Sequence, residues 1–278
     1  RDYFDVDNIH LLTHNAQIEE GDNQDFLNLK SYMNENDMSH NEHYDYISTA
    51  IDIDNIIDYY CAQLFLANTD WPHNNVKYWK AQDDGKWRWL FFDCDECMSY
   101  EYYNLMADLI NEQNTSQDFD EWSVFIIRQL FRNNNFREQF RRRFEILLSS
   151  TFSTPNLMQH IKEMENLYKA EVLEHHLRWN VPENSNAWLE AVESLYAFAS
   201  IRPHVMRQLL TDYLGKPFSL YPNPSKDYFQ LEMHTDMQVE NITILNAMGQ
   251  SVYSHNGFWN KPIDIRQLAA GVYVVQLR

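Results

Sequence analysis

The feature that most constrains the fold is an aromatic stretch, residues 76–92, that one polar turn interrupts. Both halves are rich in Trp, Tyr, Phe and Val, and Gly85 lies between them in the sequence QDDGK. Such residues favour strands, so the pattern predicts a β-hairpin with a three-residue loop and Gly85 in the left-handed conformation. In the resulting register Asn75 lies opposite Asp93, on the same face of the pair. We therefore expect the hairpin to bring together two polar segments that are distant in sequence.

Oxygen-bearing side chains flank this hairpin on both sides. Asp70 follows residues 51–67, whose periodicity predicts a buried helix, and Asn75 comes five residues later. Asp93 and Asp95 follow the second strand. This spacing is typical of protein kinases, in which the first Asp deprotonates the acceptor hydroxyl while an Asn and a later Asp hold magnesium. Carboxylate and amide oxygens are also the ligands that hard divalent cations prefer.

Other chemistries use similar residues. An Asp after a helix is more often a cap or turn residue than a catalyst, and we expect His73 to be a loop-packing residue. An apolar strand followed by DxD also begins haloacid-dehalogenase-type phosphatases, but those continue with Gly-Thr or Gly-Val, whereas Glu96 follows here. A redox or zinc pair at Cys94 and Cys97 is disfavoured, because the chain has three Cys and no second CxxC. A disulfide framework is not expected.

Composition limits the class of protein and its partners. With 44% hydrophobic and 15% aromatic residues, the chain should fold compactly rather than stay disordered. A net charge of −19 would be repelled by nucleic acid and by anionic membranes, so we expect neither as a partner. Divalent cations would be attracted. The chain opens without Met and has no apolar run long enough to cross a bilayer, and we expect it to be a fragment of a longer precursor.

The composition changes near Gly215. From residue 216 onward there are five Lys or Arg and five Asp or Glu, so the acidic excess lies before that point. The hydrophobic period also changes there from helical to two. We therefore predict two domains, at residues 1–214 and 215–278. The fold class is α+β, with a mainly helical large lobe that carries the hairpin and a small all-β sandwich at the C-terminus.

Within the large lobe the pattern predicts several helices. We expect short helices before residue 36 and a helical layer over residues 121–207. The last part of that layer should be two helices, one ending near Phe198 and another starting at Pro203, because Pro favours the first helical turn. The Arg run at residues 141–143 is expected on a solvated face.

Five short segments carry a family resemblance. They are residues 51–55 (IDIDN), 68–79 (NTDWPHNNVKYW), 93–95 (DCD), 176–179 (HLRW) and 198–203 (FASIRP). The segments resemble the CotH kinase family, named for the spore coat protein CotH, over residues 2–210. Members look like atypical protein kinases that transfer phosphate from ATP to Ser of partner proteins with Mg or Mn. The resemblance implies Asp70 as the catalytic residue, Asn75 and Asp93 as metal ligands, and Asp95 as an assisting ligand.

One departure from the family concerns phosphate binding. A kinase-like fold needs an upstream small lobe whose Lys binds the α- and β-phosphates, yet the single Lys before Asp70 is Lys30, in no strand or Gly-rich context. The resemblance thus implies catalytic and metal-binding groups without the main phosphate clamp, and a chain that is a poor or inactive kinase alone. The alternative is a non-catalytic surface module, with a structural cation at Asp70, Asn75 and Asp93 and an aromatic surface for glycan or protein.

A second resemblance covers the C-terminal domain. Its markers are residues 220–225 (LYPNPS), 244–253 (ILNAMGQSVY), 263–265 (IDI) and 268–273 (LAAGVY). They resemble the type A C-terminal sorting domain of the type IX secretion system, which implies an Ig-like sandwich that the secretion machinery recognises. The protein would then be secreted or held at the cell surface. A generic adhesive β-sandwich would fit the strand pattern but not this order of motifs.

Overall fold

The chain forms two compact units, Arg1–Leu214 and Gly215–Arg278. A computed structural model describes residues 6–83, 85–111, 121–215, 218–233, 239–257 and 261–277. The first unit mixes helix and sheet and the second consists of strands, so the fold is α+β. Lys216 and Pro217, at the predicted boundary, lie outside the described residues, as does Asp84 of the hairpin loop.

Helices dominate the first unit. They are α1 (Gln24–Glu35), α2 (Asn41–Ala50), α3 (Ile53–Leu66), α4 (Leu105–Ile110), α5 (Glu121–Phe131), α6 (Asn134–Ser149), α7 (Thr154–Tyr168), α8 (Val172–Trp179) and α9 (Ser185–Leu214). Four strands, β1 (Ile9–Thr13), β2 (Gln17–Glu20), β3 (Lys77–Ala81) and β4 (Arg88–Leu90), form one antiparallel sheet in the order β2-β1-β3-β4. The predicted helical layer is confirmed. The prediction of short helices before residue 36 holds for α1 but is wrong for β1, because pairing with β3 decides the conformation there.

The predicted hairpin is confirmed as β3 and β4, but its register differs by one residue. Lys77 lies opposite Leu90 and Tyr78 opposite Trp89, and a shift of one exchanges the two faces of a strand. Gly85 does not have a positive φ. Its lack of a side chain is needed for another reason, since a Cβ there would lie 2.4 Å from the backbone nitrogen of Ala81. A close backbone approach therefore closes the loop.

Helix α3 is the buried helix predicted before Asp70. Asp52 caps it by accepting a hydrogen bond of 3.1 Å from the backbone nitrogen of Asn55, which satisfies a free N–H of the first turn. The helix ends at Ala67, whose φ of 53° is left-handed. Its buried face joins the main core, which includes Ile56, Leu64 and Phe65. The helix therefore delivers the residues that follow it from a fixed position.

Helix α9 is continuous through Pro203, so the prediction of two helices is wrong. Proline has no N–H to bond the carbonyl four residues earlier, which belongs to Ala199. In this fold the hydroxyl of Thr154, at the start of α7, donates to that carbonyl at 3.0 Å. A partner from another helix therefore replaces the missing bond, and no sequence period could indicate it.

The prediction that the Arg run of α6 lies on a solvated face holds for Arg142, which is exposed, but is wrong for Arg141. Arg141 is buried and its Nη2 is 2.5 Å from a carboxylate oxygen of Glu138. Arg143 makes a bidentate ion pair with Asp58 of α3, with N–O distances of 2.6 and 2.8 Å. Arg143 therefore links α6 to α3 through a partly exposed ion pair, whereas Arg141 is paired within α6.

The second unit contains two three-stranded antiparallel sheets. Its strands are β5 (Phe218–Tyr221), β6 (Tyr228–Met233), β7 (Asn241–Leu245), β8 (Ser251–Asn256), β9 (Ile263–Asp264) and β10 (Val274–Leu277), in the orders β10-β7-β8 and β5-β6-β9. The buried core consists of Phe229, Ile242, Ile244 and Ile263, drawn from both sheets. The predicted period of two is confirmed here. Among the described helices of the chain, none is long and apolar enough to cross a membrane.

Candidate functional site

Asp70 lies in the loop between α3 and β3, and its neighbour Trp71 fixes that loop. The Trp71 side chain is buried, and its Nε1 donates to the hydroxyl of Tyr59 at 2.7 Å. The Tyr60 ring packs edge-on against it at a centroid distance of 5.2 Å. Because this anchor is the next residue in the chain, the carboxylate of Asp70 is held close to the end of α3, with 32% of its side chain exposed.

Two amides hold the carboxylate of Asp70. Its Oδ2 accepts hydrogen bonds from the Nδ2 atoms of Asn74 at 3.0 Å and Asn75 at 2.8 Å. Its Oδ1 lies 3.6 Å from Nε2 of His73. We predicted that His73 packs in the loop, and the structure shows that it also borders this carboxylate. Because the Asn75 nitrogen faces Asp70, its carbonyl oxygen is the atom with which Asn75 could bind a cation.

Asp93 and Asp95 form the other half of the candidate site. Partial desolvation raises the pKa of Asp93, and the charge and hydrogen bond of Asp95 and the charge of Asp70 raise it further. Both Asp93 and Asp95 are exposed. The structure thus places three of the predicted residues close enough for their charges to interact.

The backbone conformations of Asn75 and Asp93 correct the geometry that we predicted. Pairing of the hairpin ends at Lys77 and Leu90, and beyond it Asn75 has a φ of 56° and Asp93 a φ of 54°. Asn and Asp tolerate this left-handed conformation better than other residues with a side chain. The chain leaves the sheet at both points, so strand register does not place the two side chains. Within the described chain, no hydrogen bond joins Asn75 to Asp93.

Asn68 is a site residue whose role the sequence did not reveal. It is fully buried, and its Nδ2 lies 3.0 Å from Oε1 of Gln63 and 3.4 Å from the backbone oxygen of Asp93. Its Oδ1 accepts from the backbone nitrogen of Asp70 at 3.2 Å. One amide therefore joins the Asp70 loop to the Asp93 segment. The available signal was an Asn directly after a wholly apolar helix end.

Arg202 of α9 also supports both segments, and its role was likewise missed. Its guanidinium is fully buried and donates to the carbonyls of Leu64 and Phe65 at the end of α3, at 2.5 and 2.8 Å. It also donates to the carbonyls of Glu101 and Tyr103, at 2.9 and 2.8 Å. Burial lowers the pKa of Arg202 to about 10, so it stays charged at neutral pH. One side chain thus fixes the end of α3 and the segment after Asp95.

Cys94 and Cys97 form a disulfide with a Cα–Cα distance of 5.1 Å, although we disfavoured a redox pair at these positions. The third cysteine, Cys61, is buried in α3 as a free thiol. Disulfides persist in oxidising compartments, so this pair suits a protein that leaves the cytoplasm. Spacing alone could not distinguish a disulfide from a metal pair.

The donor set of the site fits a hard divalent cation. Within the part of the chain that the structure describes, no three His, Cys, Asp or Glu side chains are arranged as a ready metal site. However, each charged neighbour that shifts the pKa of Asp93 is an anion, so a cation between them would relieve repulsion. Carboxylates and the Asn75 carbonyl are oxygen ligands, which Mg and Mn prefer over nitrogen or sulfur.

Two family models match this chain, and one of them covers the residues of the candidate site. The model described as CotH kinase protein matches residues 5–206, which include Asp70, Asn75, Asp93 and Asp95. The chain belongs to the CotH kinase family. The model described as secretion system C-terminal sorting domain matches residues 219–278. Neither a curated protein nor a solved structure gives a significant match to the chain.

The sorting domain determines where this CotH family member acts. A type IX C-terminal sorting domain implies interaction with that secretion machinery, so the protein is secreted or located at the cell surface. The second unit also has a groove of about 620 Å³ between its sheets, with Leu220, Phe229 and Val275 among its lining residues. All of the lining residues belong to this unit.

Proposed function

We propose that this CotH protein is a secreted atypical protein kinase that uses ATP and Mg or Mn to phosphorylate Ser of a partner protein. The observation that carries the proposal is that Asp70, Asn75, Asp93 and Asp95 lie together at the open ends of one hairpin, inside the region that matches the CotH model. A kinase-like large lobe and an Ig-like sorting sandwich are parts of the same proposal.

Each residue has a role that its surroundings allow. The carboxylate of Asp70 is oriented by Asn74 and Asn75 and partly exposed, so it can accept the proton of an acceptor hydroxyl. Asn75, Asp93 and Asp95 would hold the cation through oxygen. A bound cation supplies positive charge to the phosphate oxygens.

ATP binding rests on the family relationship alone. Lys30 lies on α1 with its Nζ 5.5 Å from the Phe125 ring centroid. Lys77 of β3 lies nearer in sequence to the site but pairs with Glu19 at 2.8 Å. A phosphate clamp must therefore come from elsewhere, and we expect this chain alone to transfer phosphate poorly or not at all.

Cation binding is the first test of the proposal. Mn²⁺ should bind the oxidised chain, and Asp93→Asn should weaken binding by about tenfold or more, because it removes a charged ligand and leaves the backbone conformation accessible. The loss of the free Mn²⁺ signal in electron paramagnetic resonance measures this binding. Asp83→Asn is the matched control, since Asp83 is an exposed carboxylate at the other end of the hairpin.

Two results would contradict the proposal at this step. One is equal Mn²⁺ affinity in Asp93→Asn and the unmodified chain, and the other is no Mn²⁺ binding at all. Transfer of labelled phosphate to Ser peptides by the full-length protein, lost in Asp70→Asn while Mn²⁺ binding remains, would then assign the catalytic role. Transfer that survives Asp70→Asn would exclude Asp70 as the base.

A non-catalytic surface module is the second candidate, and one observation favours it. Arg202 holds the backbone at Glu101 and Tyr103, while the side chains of Tyr100 and Tyr102 beside them are 60% and 68% exposed. Exposed aromatic rings on a fixed segment can contact glycan or protein. Binding of Mn²⁺ without any nucleotide binding by the full-length protein would support this module over the kinase.

A further inference from the structure

The Cys94–Cys97 disulfide encloses one of the two carboxylates of the candidate cation site. Asp95 lies within the four-residue ring that the bond closes, and Asp93 directly precedes it. Asp93 and Asp95 carry like charges two residues apart in the chain, so the two carboxylates repel each other when both are ionised. A covalent ring at this position therefore limits how far the carboxylates can separate while no cation lies between them.

Hydrogen bonds to its backbone also hold this segment. Asn68 donates to the carbonyl of Asp93, and the hydroxyl of Thr69 donates to the carbonyl of Glu96 at 3.3 Å. The backbone nitrogen of Met98 donates to the carbonyl of Leu66 at 2.7 Å. These bonds hold the two ends of the segment near α3. Around Asp95 itself, the turn is closed by a backbone hydrogen bond of 3.4 Å from Cys97 to the carbonyl of Cys94 and, covalently, by the disulfide.

The bond is accessible to reductants. Cys94 and Cys97 are partly exposed, whereas the remaining thiol of Cys61 is fully buried. An external dithiol can break the S–S bond by thiol–disulfide exchange, in which the protein gains two electrons and two protons and the dithiol closes to its own disulfide. Reduction would therefore act on the ring and leave the core of α3 unchanged.

We propose that the Cys94–Cys97 disulfide sets the cation affinity of the candidate site, so that its reduction weakens binding of a divalent cation and its re-formation restores it. The inference rests on the proposed cation site. A ring that holds two ligands near each other lowers the ordering cost of binding, which is the general advantage of a preorganised site. Loss of such support around a metal ligand typically costs 10- to 100-fold in affinity.

The location of the protein in the cell gives a role to the dependence of cation affinity on the disulfide. Thiols stay reduced in the cytoplasm and pair after export. A protein addressed to the cell surface by its sorting domain would therefore have a weak cation site during synthesis and a strong one after secretion. The disulfide would link activity to location without a further partner.

The first experiment compares Mn²⁺ affinity in three states of the full chain, namely oxidised, reduced with dithiothreitol, and reoxidised. We expect reduction to weaken binding about tenfold and reoxidation to recover it. The double variant Cys94→Ser/Cys97→Ser should match the reduced chain and no longer respond to dithiothreitol. The control Cys61→Ala should behave as the unmodified chain in all three states, because it leaves the ring intact.

The second experiment uses the reciprocal effect and needs no substitution. If the disulfide strengthens cation binding, the cation must stabilise the disulfide by the same factor. Saturating Mn²⁺ should therefore lower the midpoint of a dithiothreitol redox titration, followed by thiol labelling, by about 30 mV for a tenfold coupling. A disulfide with a purely structural role would show no shift. The Asp93→Asn/Asp95→Asn variant should lose the shift.

The outcomes separate this inference from the proposal on which it rests. Equal Mn²⁺ affinity in oxidised and reduced chains, with no shift of the redox midpoint, would overturn the inference and leave the cation site standing. Absence of Mn²⁺ binding in both states would overturn both. If the double serine variant does not fold, the redox titration of the unmodified chain still decides.

Discussion

Asp93 shows how one residue can serve a site at the expense of the fold. Its left-handed backbone and its two anionic neighbours are both unfavourable for an ordinary surface residue. Because the folded state raises the pKa of this carboxyl, its contribution to stability is present below the ordinary carboxyl pKa and is lost as pH rises through the raised value. At neutral pH, without a cation, the ionised Asp93 therefore opposes folding.

The first prediction follows from the destabilising effect of ionised Asp93 at neutral pH. Without divalent cations, Asp93→Asn should raise the melting temperature at neutral pH, and the gain should shrink as pH falls towards the ordinary carboxyl value of 3.8. Asn also tolerates the left-handed conformation, so backbone strain should not change. Thermal unfolding across a pH series measures the effect, with Asp83→Asn as the control. A variant that is less stable at neutral pH would contradict this account of Asp93.

With a bound cation, the unmodified chain should have a higher melting temperature than Asp93→Asn, the reverse of the order without cation. Saturating Mn²⁺ should raise the melting temperature of the unmodified chain, because a ligand that binds the folded state stabilises it. The rise should be much smaller in Asp93→Asn. An equal rise in both would mean that Mn²⁺ binds elsewhere.

Residue types and local order account for what the sequence could predict at this scale. Asp70 and Asn75 became candidates through their spacing, and Asp93 through its place after an apolar strand. Asn68 and Arg202 were not, because their roles depend on carbonyls up to 138 residues away. A hydrogen bond to a distant backbone leaves no periodic signal in the sequence.

At the scale of elements, the hairpin and helix α9 show where local patterns stop being sufficient. The aromatic strands were evident from composition, but their register depends on how tightly the chain passes Ala81 at Gly85. Pro203 is a strong signal to start a helix, and it was wrong here because Thr154 of α7 supplies the bond that proline cannot make.

The second prediction tests that replacement. Thr154→Val should destabilise the protein by about 1–2 kcal/mol, because it leaves the buried carbonyl of Ala199 without its donor. In a Pro203→Ala background the new backbone N–H can reach that carbonyl, so the same substitution should cost less. Denaturant unfolding of the four proteins gives a double-mutant cycle, in which we expect a coupling of about 1 kcal/mol.

Thr211→Val is the matched control for this cycle. Its hydroxyl donates to the carbonyl of Arg207 on the exposed face of the same helix, where the carbonyl can turn to water instead. The substitution should therefore cost little in either background. Additive effects of Thr154→Val and Pro203→Ala would refute the compensation.

At the scale of the whole molecule, the two units differ in how much core they possess. The first has one large cluster of buried residues, whereas the second has, among its described residues, a buried core of four, Phe229, Ile242, Ile244 and Ile263. Small domains bury a smaller fraction of their surface and are only marginally stable. The change of composition and period near Gly215 was visible in the sequence because it is a property of long segments.

The third prediction concerns the small core. Ile244→Ala should cost about 2–5 kcal/mol, which is enough to unfold a unit of this size. Limited proteolysis should then cut the second unit, while the unfolding transition seen by Trp emission should stay the same. That emission reports on the first unit, since seven of the eight Trp precede residue 215. Val272→Ala is the control, because Val272 is 82% exposed.

A common shift of both signals in Ile244→Ala would show that the units fold as one. Separate behaviour would also explain how a secretion machinery could handle the sorting domain while the CotH unit stays folded. Export of the variant should fail, since an unfolded sorting domain no longer presents its motifs in a fixed arrangement.

The position of Arg202 imposes an order of assembly on a chain made from its N-terminus. The carbonyls that it caps at Leu64, Phe65, Glu101 and Tyr103 are synthesised long before their donor. A nascent chain that has emerged only as far as α8 therefore holds every residue of the candidate site but still lacks Arg202, which supports two of its segments. The ribosome must release nearly the whole CotH unit before these groups can take their final positions.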